Sequence, residues 1–242
     1  MPELPEVETI RVGLEPKLAG RAFDRVEIFD SRLTRPYDPR EVAAELVGER
    51  VASVDRRGKY LIVRFESGRA LVIHLRMTGT LQHVAGGLGA DDDPYRRAVV
   101  RLDDGSDVTY RDVRRFGTWL LLEPSEVEAY LDERVGTELL GGRPATAKLA
   151  ERLAKRKAPI KALLLDQRLF AGVGNIYADE ALWWARIHPL RAGGDLSREE
   201  IAAVLRGVRR ALRNGIARQG ATLRDYRGAG GRGTWYCPGC QR

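Results

Sequence analysis

The sequence predicts an α+β protein, an antiparallel β-sandwich with flanking helices followed by a helical half. Two observations carry that prediction. Between Asp24 and about Leu122, short alternating or apolar runs ("RVEIFD", "YLIVRFE", "RALVIHL", "RAVVRL", "GTWLLLE") are separated by turn signals such as "ESGR" and "LDDGS", the texture of several short strands joined by tight turns. After about Leu131 this texture stops and apolar residues recur at helical spacing. A chain of 242 residues is long enough for one large or two modest domains.

Taken in order, Val7, Ile10, Leu14 and Leu18 form the stripe of a first helix over residues 3–18. The strands follow, with "AGGLGADDDP" at residues 85–94 as a surface loop between two of them. "TAKLAERLAKRKAPIKALLLDQRL" is helical in composition, with Pro159 opening a second helix at its first turn. "FAGVGN" is a glycine turn, and "IYADEALWWARI" resumes the helical period. Ser197 and Glu200 make a capping box ahead of the stripe Ile201, Val204, Leu205, Val208, Leu212 and Ile216. The glycine-rich tail "YRGAGGRGTWYCPGCQR" suits a hairpin. The predicted division is 1–135, 136–226 and 227–242, with no internal repeat.

Hydrophobic residues make up 43% of the chain and no apolar run approaches a membrane span, so the sequence reads as soluble and without a membrane partner. The N-terminus has no basic-then-apolar signal, which points to the cytoplasm. Both cysteines lie in the last six residues, so there is no disulfide framework. Lys plus Arg outnumber Asp plus Glu by 41 to 34, for a net +7, a balance that suits a polyanionic partner.

The opening "MPELPEVETI" crowds two prolines and three carboxylates into its first eight residues. Methionine ahead of proline is usually removed, leaving Pro2 with a free secondary amine. An α-amino group has a pKa of roughly 7.7–8.0, so a useful fraction is unprotonated at neutral pH and can attack an electrophilic carbon. Attack on a sugar C1′ gives an iminium and permits elimination, and Glu3 beside it could move the protons. The same two residues also suit a plain helix start, with proline at its head and an acid favouring its dipole. If methionine is retained, the Pro2 nitrogen is an amide and cannot act as a nucleophile.

"MPELPEVET", "RRGKYL", "HLRMTG", "DVRRFG", "GVGNIYADEAL" and "GRGTWYCPGCQR", in this order, resemble the formamidopyrimidine-DNA glycosylases. These are bacterial base-excision enzymes that remove oxidised purines and then nick the strand. The likeness runs over nearly the whole chain, and "PELPE" is nearer the purine-directed branch than the endonuclease VIII branch. It implies a helix–two-turn–helix module in the helical half, a monomer acting on damaged double-stranded DNA in a cleft between the domains, and no organic cofactor. Pro2 then matches the nucleophile and Glu3 its acid. Lys59 matches a lysine that assists elimination, and Arg232 a hairpin arginine that grips phosphate and serves the second elimination. Met77, Arg114 and Phe116 match the side chains that enter the duplex where the damaged nucleotide has left, refilling a stack whose opening costs roughly a few kcal/mol. Asn175 at a helix start, Lys161 and the run Lys155, Arg156 and Lys157 match a backbone-clamping surface.

Two departures stand out. Arg97 replaces a DNA-binding histidine, keeping a cation but losing a titrating group. The family carries one structural zinc, and a closed site needs four ligands, whereas this chain offers Cys237 and Cys240 alone. "DYRGAGGRGTWYC" passes almost directly between two anchors that the family separates by a long segment. Omission of a segment from the sequence, natural shortening or deliberate deletion would each leave that seam. Read literally, the chain is expected to hold no stoichiometric zinc as a monomer and to be weakly ordered over 227–242. The alternatives left open are an endonuclease VIII-like enzyme for oxidised pyrimidines and a non-catalytic damage-binding protein.

Overall fold

The computed structural model describes residues 2–88, 92–140, 146–154, 156–220 and 233–241, with the side chains of 146–148 excepted. The chain divides into two compact units, one of residues 1–2 and 7–131, the other of residues 3–6 and 132–242. The helix α1 (Leu4–Leu18) therefore gives its first turn to the second unit and the rest to the first.

The first unit holds two four-stranded antiparallel sheets. One has the order β1 (Phe23–Ile28), β6 (Arg96–Leu102), β7 (Asp107–Arg111), β5 (Thr80–Val84). The other has the order β2 (Val51–Arg57), β3 (Tyr60–Phe65), β4 (Ala70–His74), β8 (Thr118–Leu122). Inward residues of both sheets share one core, including Val26, Val100, Val108 and Leu81 from the first and Val54, Val63, Ile73 and Trp119 from the second. The edge-on contact of Phe23 with Phe65, at 5.4 Å between centroids, and the tilted contact of Tyr110 with Trp119, at 5.5 Å, cross between the sheets. This is the predicted sandwich. Two helices interrupt or close the strand series, α2 (Pro39–Leu46) and α3 (Pro124–Arg134). Each buries a short side, Val42 and Leu46 in α2 and Val127 and Leu131 in α3.

The second unit is built from α4 (Thr146–Leu153), α5 (Ile160–Leu165), α6 (Asn175–Ala185) and α7 (Arg198–Ala217), with a two-stranded parallel ladder of β9 (Thr137–Glu138) and β10 (Phe170–Ala171). Pro159 caps α5 from outside and does not sit in its first turn. The capping box at Ser197 and Glu200 is formed in both directions and starts α7. The predicted α7 stripe is buried, with Ile201, Val204, Leu205, Val208 and Leu212 all in the core around α6. No described helix is long and apolar enough to cross a membrane.

Helices α6 and α7 pack tightly at Gly207, where an added Cβ would lie 2.4 Å from the carbonyl oxygen of Ala181. Alanine gains about 1 kcal/mol over glycine inside a helix, but overpacking against backbone costs about 1–3 kcal/mol. Gly207→Ala is therefore expected to lower the unfolding midpoint of the second unit despite its better helix propensity, read by thermal or denaturant melts. A raised midpoint would show that the helices can move apart freely.

Candidate active site and nucleic-acid interface

Chain ends usually fray, yet Glu3 is 1% exposed. Three bonds hold this tip within the second unit. The backbone N–H of Glu3 donates to Oε2 of Glu6 at 2.8 Å, the return half of a capping box at the start of α1. The Leu4 N–H donates to the Gly172 carbonyl at 3.1 Å. The Glu3 side chain accepts the Ile176 N–H in the first turn of α6 at 3.0 Å through Oε1. Glu6 is fixed in turn by the Tyr177 hydroxyl, which donates to Oε1 at 2.8 Å, and burial beside this acid drives the Tyr177 pKa upward. A Cβ on Gly174 would lie 2.2 Å from the Glu3 carboxyl carbon, so the glycine of "GVGN" is what admits Glu3 to the helix end. The sequence suggested a phosphate at this helix start, but the Ile176 N–H is already given to Glu3.

Asn175 instead donates through Nδ2 to the Gly233 carbonyl at 3.2 Å. Lys161 is 5% exposed and pairs with Asp179 at 2.7 Å, itself 7% exposed. Its ammonium also donates to the Gly233 carbonyl at 3.0 Å and to Thr234 Oγ1 at 3.1 Å. Burial pushes the Asp179 pKa up, and the lysine opposes that. Lys161 thus spends its donors inside the protein. Arg156 and Lys157, between α4 and α5, are exposed. Lys155 and Arg232 lie outside the described residues.

In the first unit, Asp112 organises the two turns that carry Met77, Arg114 and Phe116. Its buried carboxylate accepts the Thr78 hydroxyl, the Arg114 N–H at 3.2 Å and the Gly117 N–H at 2.8 Å. Thr78 Oγ1 accepts the same Arg114 N–H at 3.0 Å. The β4–β5 turn carrying Met77 and the β7–β8 turn carrying Arg114 and Phe116 are thereby joined. Phe116 is 52% exposed, and the Arg114 guanidinium lies 4.9 Å from its ring centroid. The glycines of "MTG" and "RRFG" have a steric cause, because a Cβ on Gly79 or Gly117 would strike the Tyr110 hydroxyl. Sequence reading missed Asp112, since an acid beside two arginines looks like surface charge.

Lys59, in the β2–β3 turn, is 7% exposed and so is not a solvated turn lysine. Next to it, Tyr60 stacks edge-on against His74 at 4.7 Å. Burial, then the charges of Arg76 and Lys59, lowers the His74 pKa to about 3, so this ring stays neutral at physiological pH. Arg97 donates to the carbonyls of Asp112 at 2.9 Å and Pro94 at 3.0 Å, leaving little of it for a ligand.

Of the tail, residues 233–241 form a turn without a strand, and 227–232 and 242, which the expectation of a hairpin remnant also covered, lie outside the described residues. Gln241 is 2% exposed; its Nε2 donates to the Ile187 carbonyl at 3.1 Å and its Oε1 accepts the Cys237 N–H at 2.6 Å. The Tyr236 ring packs on His188 at 4.4 Å. Cys237 and Cys240 are free thiols joined by a hydrogen bond, which lowers the pKa of the first and raises that of the second. A zinc site does not fit these donors. No group of three His, Cys, Asp or Glu able to hold a metal exists among the described residues, and residues 221–232 contain neither Cys nor His. His188 Nδ1 already accepts the Leu190 N–H at 3.2 Å.

Residues 1–119 match the formamidopyrimidine-DNA glycosylase N-terminal domain and residues 135–227 the formamidopyrimidine-DNA glycosylase H2TH domain. A formamidopyrimidine-DNA glycosylase of Herpetosiphon aurantiacus is 43% identical over 235 residues, covering 96% of this chain and 84% of its own. That of a Roseiflexus species is 41% identical over 276 aligned residues spanning 100% of both chains. The relative therefore carries residues with no counterpart among the 242 here. The Lactococcus lactis enzyme, solved non-covalently bound to DNA containing an abasic site, is 33% identical with a TM-score of 0.85, over 90% of this chain and 83% of that one. A variant of it with DNA containing Fapy-dG gives a TM-score of 0.86 over 95% and 83%. With family models over most of its length and relatives above two-fifths identity, the chain belongs to the formamidopyrimidine-DNA glycosylase family.

Proposed function

We propose that this protein is a bifunctional DNA glycosylase and abasic-site lyase of base excision repair, removing oxidised purines such as 8-oxoguanine and formamidopyrimidines from duplex DNA. The observation that carries the reading is the fixed N-terminal tip. A buried Glu3, tied at its N–H and its carboxylate, holds the residue directly after Pro2 in one place, as a nucleophile at a chain end requires.

In this reading the unprotonated Pro2 amine attacks C1′, and the C1′–N bond to the base breaks, its electron pair leaving with the base. Glu3 delivers the proton that the departing base or the opened sugar needs. The Pro2 nitrogen loses its proton and the C1′–O4′ bond breaks, its electron pair leaving to the ring oxygen that Glu3 protonates. The iminium so formed acidifies C2′. Loss of that proton expels the 3′-phosphate, and a second elimination expels the 5′-phosphate, leaving a one-nucleotide gap. Lys59 assists the first elimination and Arg232 the second. Met77, Arg114 and Phe116 fill the space left by the extruded nucleotide, with Asp112 setting their two turns. Arg156 and Lys157, both exposed, belong to the backbone-contacting surface, whereas Arg97 and Asn175, matched to it by resemblance, are assigned to holding protein carbonyls. Lys161 is assigned to holding the 233–234 backbone, since its ammonium is buried in an ion pair. Residues 1–135 are read as the catalytic domain, 136–226 as the DNA-binding helical domain and 227–242 as a shortened finger.

Borohydride is expected to link the protein covalently to a duplex carrying 8-oxoguanine, because reduction fixes the iminium as an amine. Pro2→Gly should keep some trapping through its primary amine, and an N-terminal tag should abolish it, as read by gel shift under denaturing conditions. Trapping that survives a blocked N-terminus would move the nucleophile to a lysine. Trapping only with oxidised pyrimidines would reassign the base preference, and binding without trapping would make the protein a damage sensor.

Lys161→Ala strands a buried carboxylate and should lower stability by about 3–5 kcal/mol, with Lys161→Ala/Asp179→Ala recovering part of that loss. A Lys161→Ala protein as stable as the parent but weak on DNA would return the ammonium to a phosphate.

Elemental analysis of protein with the mass of this sequence is expected to find no chelator-resistant zinc, because two thiolates leave the ion open to water. One tightly held zinc per chain would refute this, and one per two chains would indicate a site shared between copies.

A further inference from the structure

The turn that follows β1 presents cations that the reading above does not use. A pocket of about 380 Å³ is lined by Arg32, Arg35, Arg115, Phe116, Gly117 and Thr118. Its frame is rigid for a surface turn. Asp30, 3% exposed, accepts the Arg32 N–H at 3.1 Å and two Arg115 guanidinium N–H groups at 2.5 and 2.9 Å. That fork holds Arg115 in the left-handed region, at φ 59°, a conformation that surrounding bonds must sustain. The Trp119 N–H donates to the Leu33 carbonyl at 2.7 Å, and Thr34 closes the turn onto the Tyr37 carbonyl at 3.0 Å. Leu33 and Thr34 are buried, which sends Arg32 and Arg35 outward on either side.

The charges do not cancel. Asp30 neutralises Arg115, whereas neither Arg32 nor Arg35 has an ion-pair partner among the described residues. The same two turns expose Phe29 at 57%, Tyr37 at 54% and Phe116 at 52%. Two uncompensated guanidinium groups on a pinned turn, among exposed aromatics, have the chemistry of a nucleic-acid contact.

We propose that Arg32 and Arg35 form a phosphate-binding site that grips the DNA backbone beside the Phe116 wedge. The proposal rests on the DNA-repair reading and deepens it. Holding the backbone next to the point of insertion keeps the strand from sliding away when the stack is opened. The ligand is a phosphodiester, recognised by charge and by the planar fork of arginine.

The test is the salt dependence of affinity for a duplex containing a stable abasic analogue, which can be measured without any catalytic step. Each phosphate contact adds about 0.9 to the slope of log affinity against log salt. Arg32→Ala/Arg35→Ala should flatten the parent slope by roughly 1.8. Between 50 and 200 mM salt, the affinity of the parent should fall roughly tenfold more than that of the double variant. Arg32→Lys/Arg35→Lys should restore most of the slope, and Phe116→Ala should weaken binding with the slope unchanged. A double alanine variant that keeps the parent slope overturns the proposal, whether or not affinity falls. A parent protein that binds no DNA would sink the repair reading itself.

Discussion

The bond from the Ile176 N–H to the Glu3 carboxylate constrains the whole second unit. A helix start carries donors that need an acceptor and a positive end that favours an anion. In this fold the protein's own third residue supplies that acceptor. Everything nearby is shaped to admit it: Gly174 lacks the Cβ that would collide with the carboxyl group, and Gly172 offers its carbonyl to Leu4. Tyr177, one residue beyond Ile176, holds Glu6 so that Glu6 can hold the Glu3 N–H. The sequence segments "PELPE" and "GVGNIY" are thus two halves of one fastening, though about 170 positions separate them in the numbering of the chain.

The same device recurs with other acids. Asp112, Asp30 and Asp179 are all buried, and each is surrounded by donors from more than one segment. A buried carboxylate is tolerable only when nearly all its acceptor sites are used. It therefore fixes every segment that donates to it, and removing one donor leaves the charge exposed to that penalty. Asp112 couples the Met77 turn to the Phe116 turn, and Asp30 couples the 30–37 turn to Arg115. Met77, Arg114 and Phe116 are carried on turns tied together by internal hydrogen bonds. Pre-organisation of this kind reduces the entropy lost on binding.

The sandwich strands, α1 and α7 were legible because their apolar residues repeat at two or at three to four, and because Ser197 and Glu200 mark a helix start from sequence alone. The helices α2 and α3 were not, since eight and eleven residues with only two buried apolar positions each are too short to show a period against neighbouring strands. The site residues could be named by resemblance, yet their environments could not. Nothing in "RRGKYL" says that Lys59 is buried. Nothing in "APIKALL" says that Lys161 faces Asp179 eighteen positions later, because that pairing depends on how α5 packs against α6.

The tail shows what such pairings can replace. A metal closes a short loop by drawing four ligands to one point. Here the 233–241 segment is tied at two points by side chains, beside the backbone bonds from the Cys240 and Gln241 N–H groups to the Cys237 carbonyl. At its start, Gly233 and Thr234 accept from Lys161 and Asn175, and the Trp235 N–H reaches Asp179 at 3.3 Å. At its end, Gln241 bridges the Cys237 N–H and the Ile187 carbonyl from a buried position. An amide making one donor and one acceptor bond out of water is worth about 1–3 kcal/mol against leaving those groups unpaired. Two such anchors are individually weaker than a zinc centre, whose apparent binding in finger peptides is about 10–16 kcal/mol. Neither anchor uses a thiol group: the first rests on Lys161, Asn175 and Asp179, the second on the Gln241 amide. The buried pair of Lys161 on α5 and Asp179 on α6 thereby sets the position of Gly233.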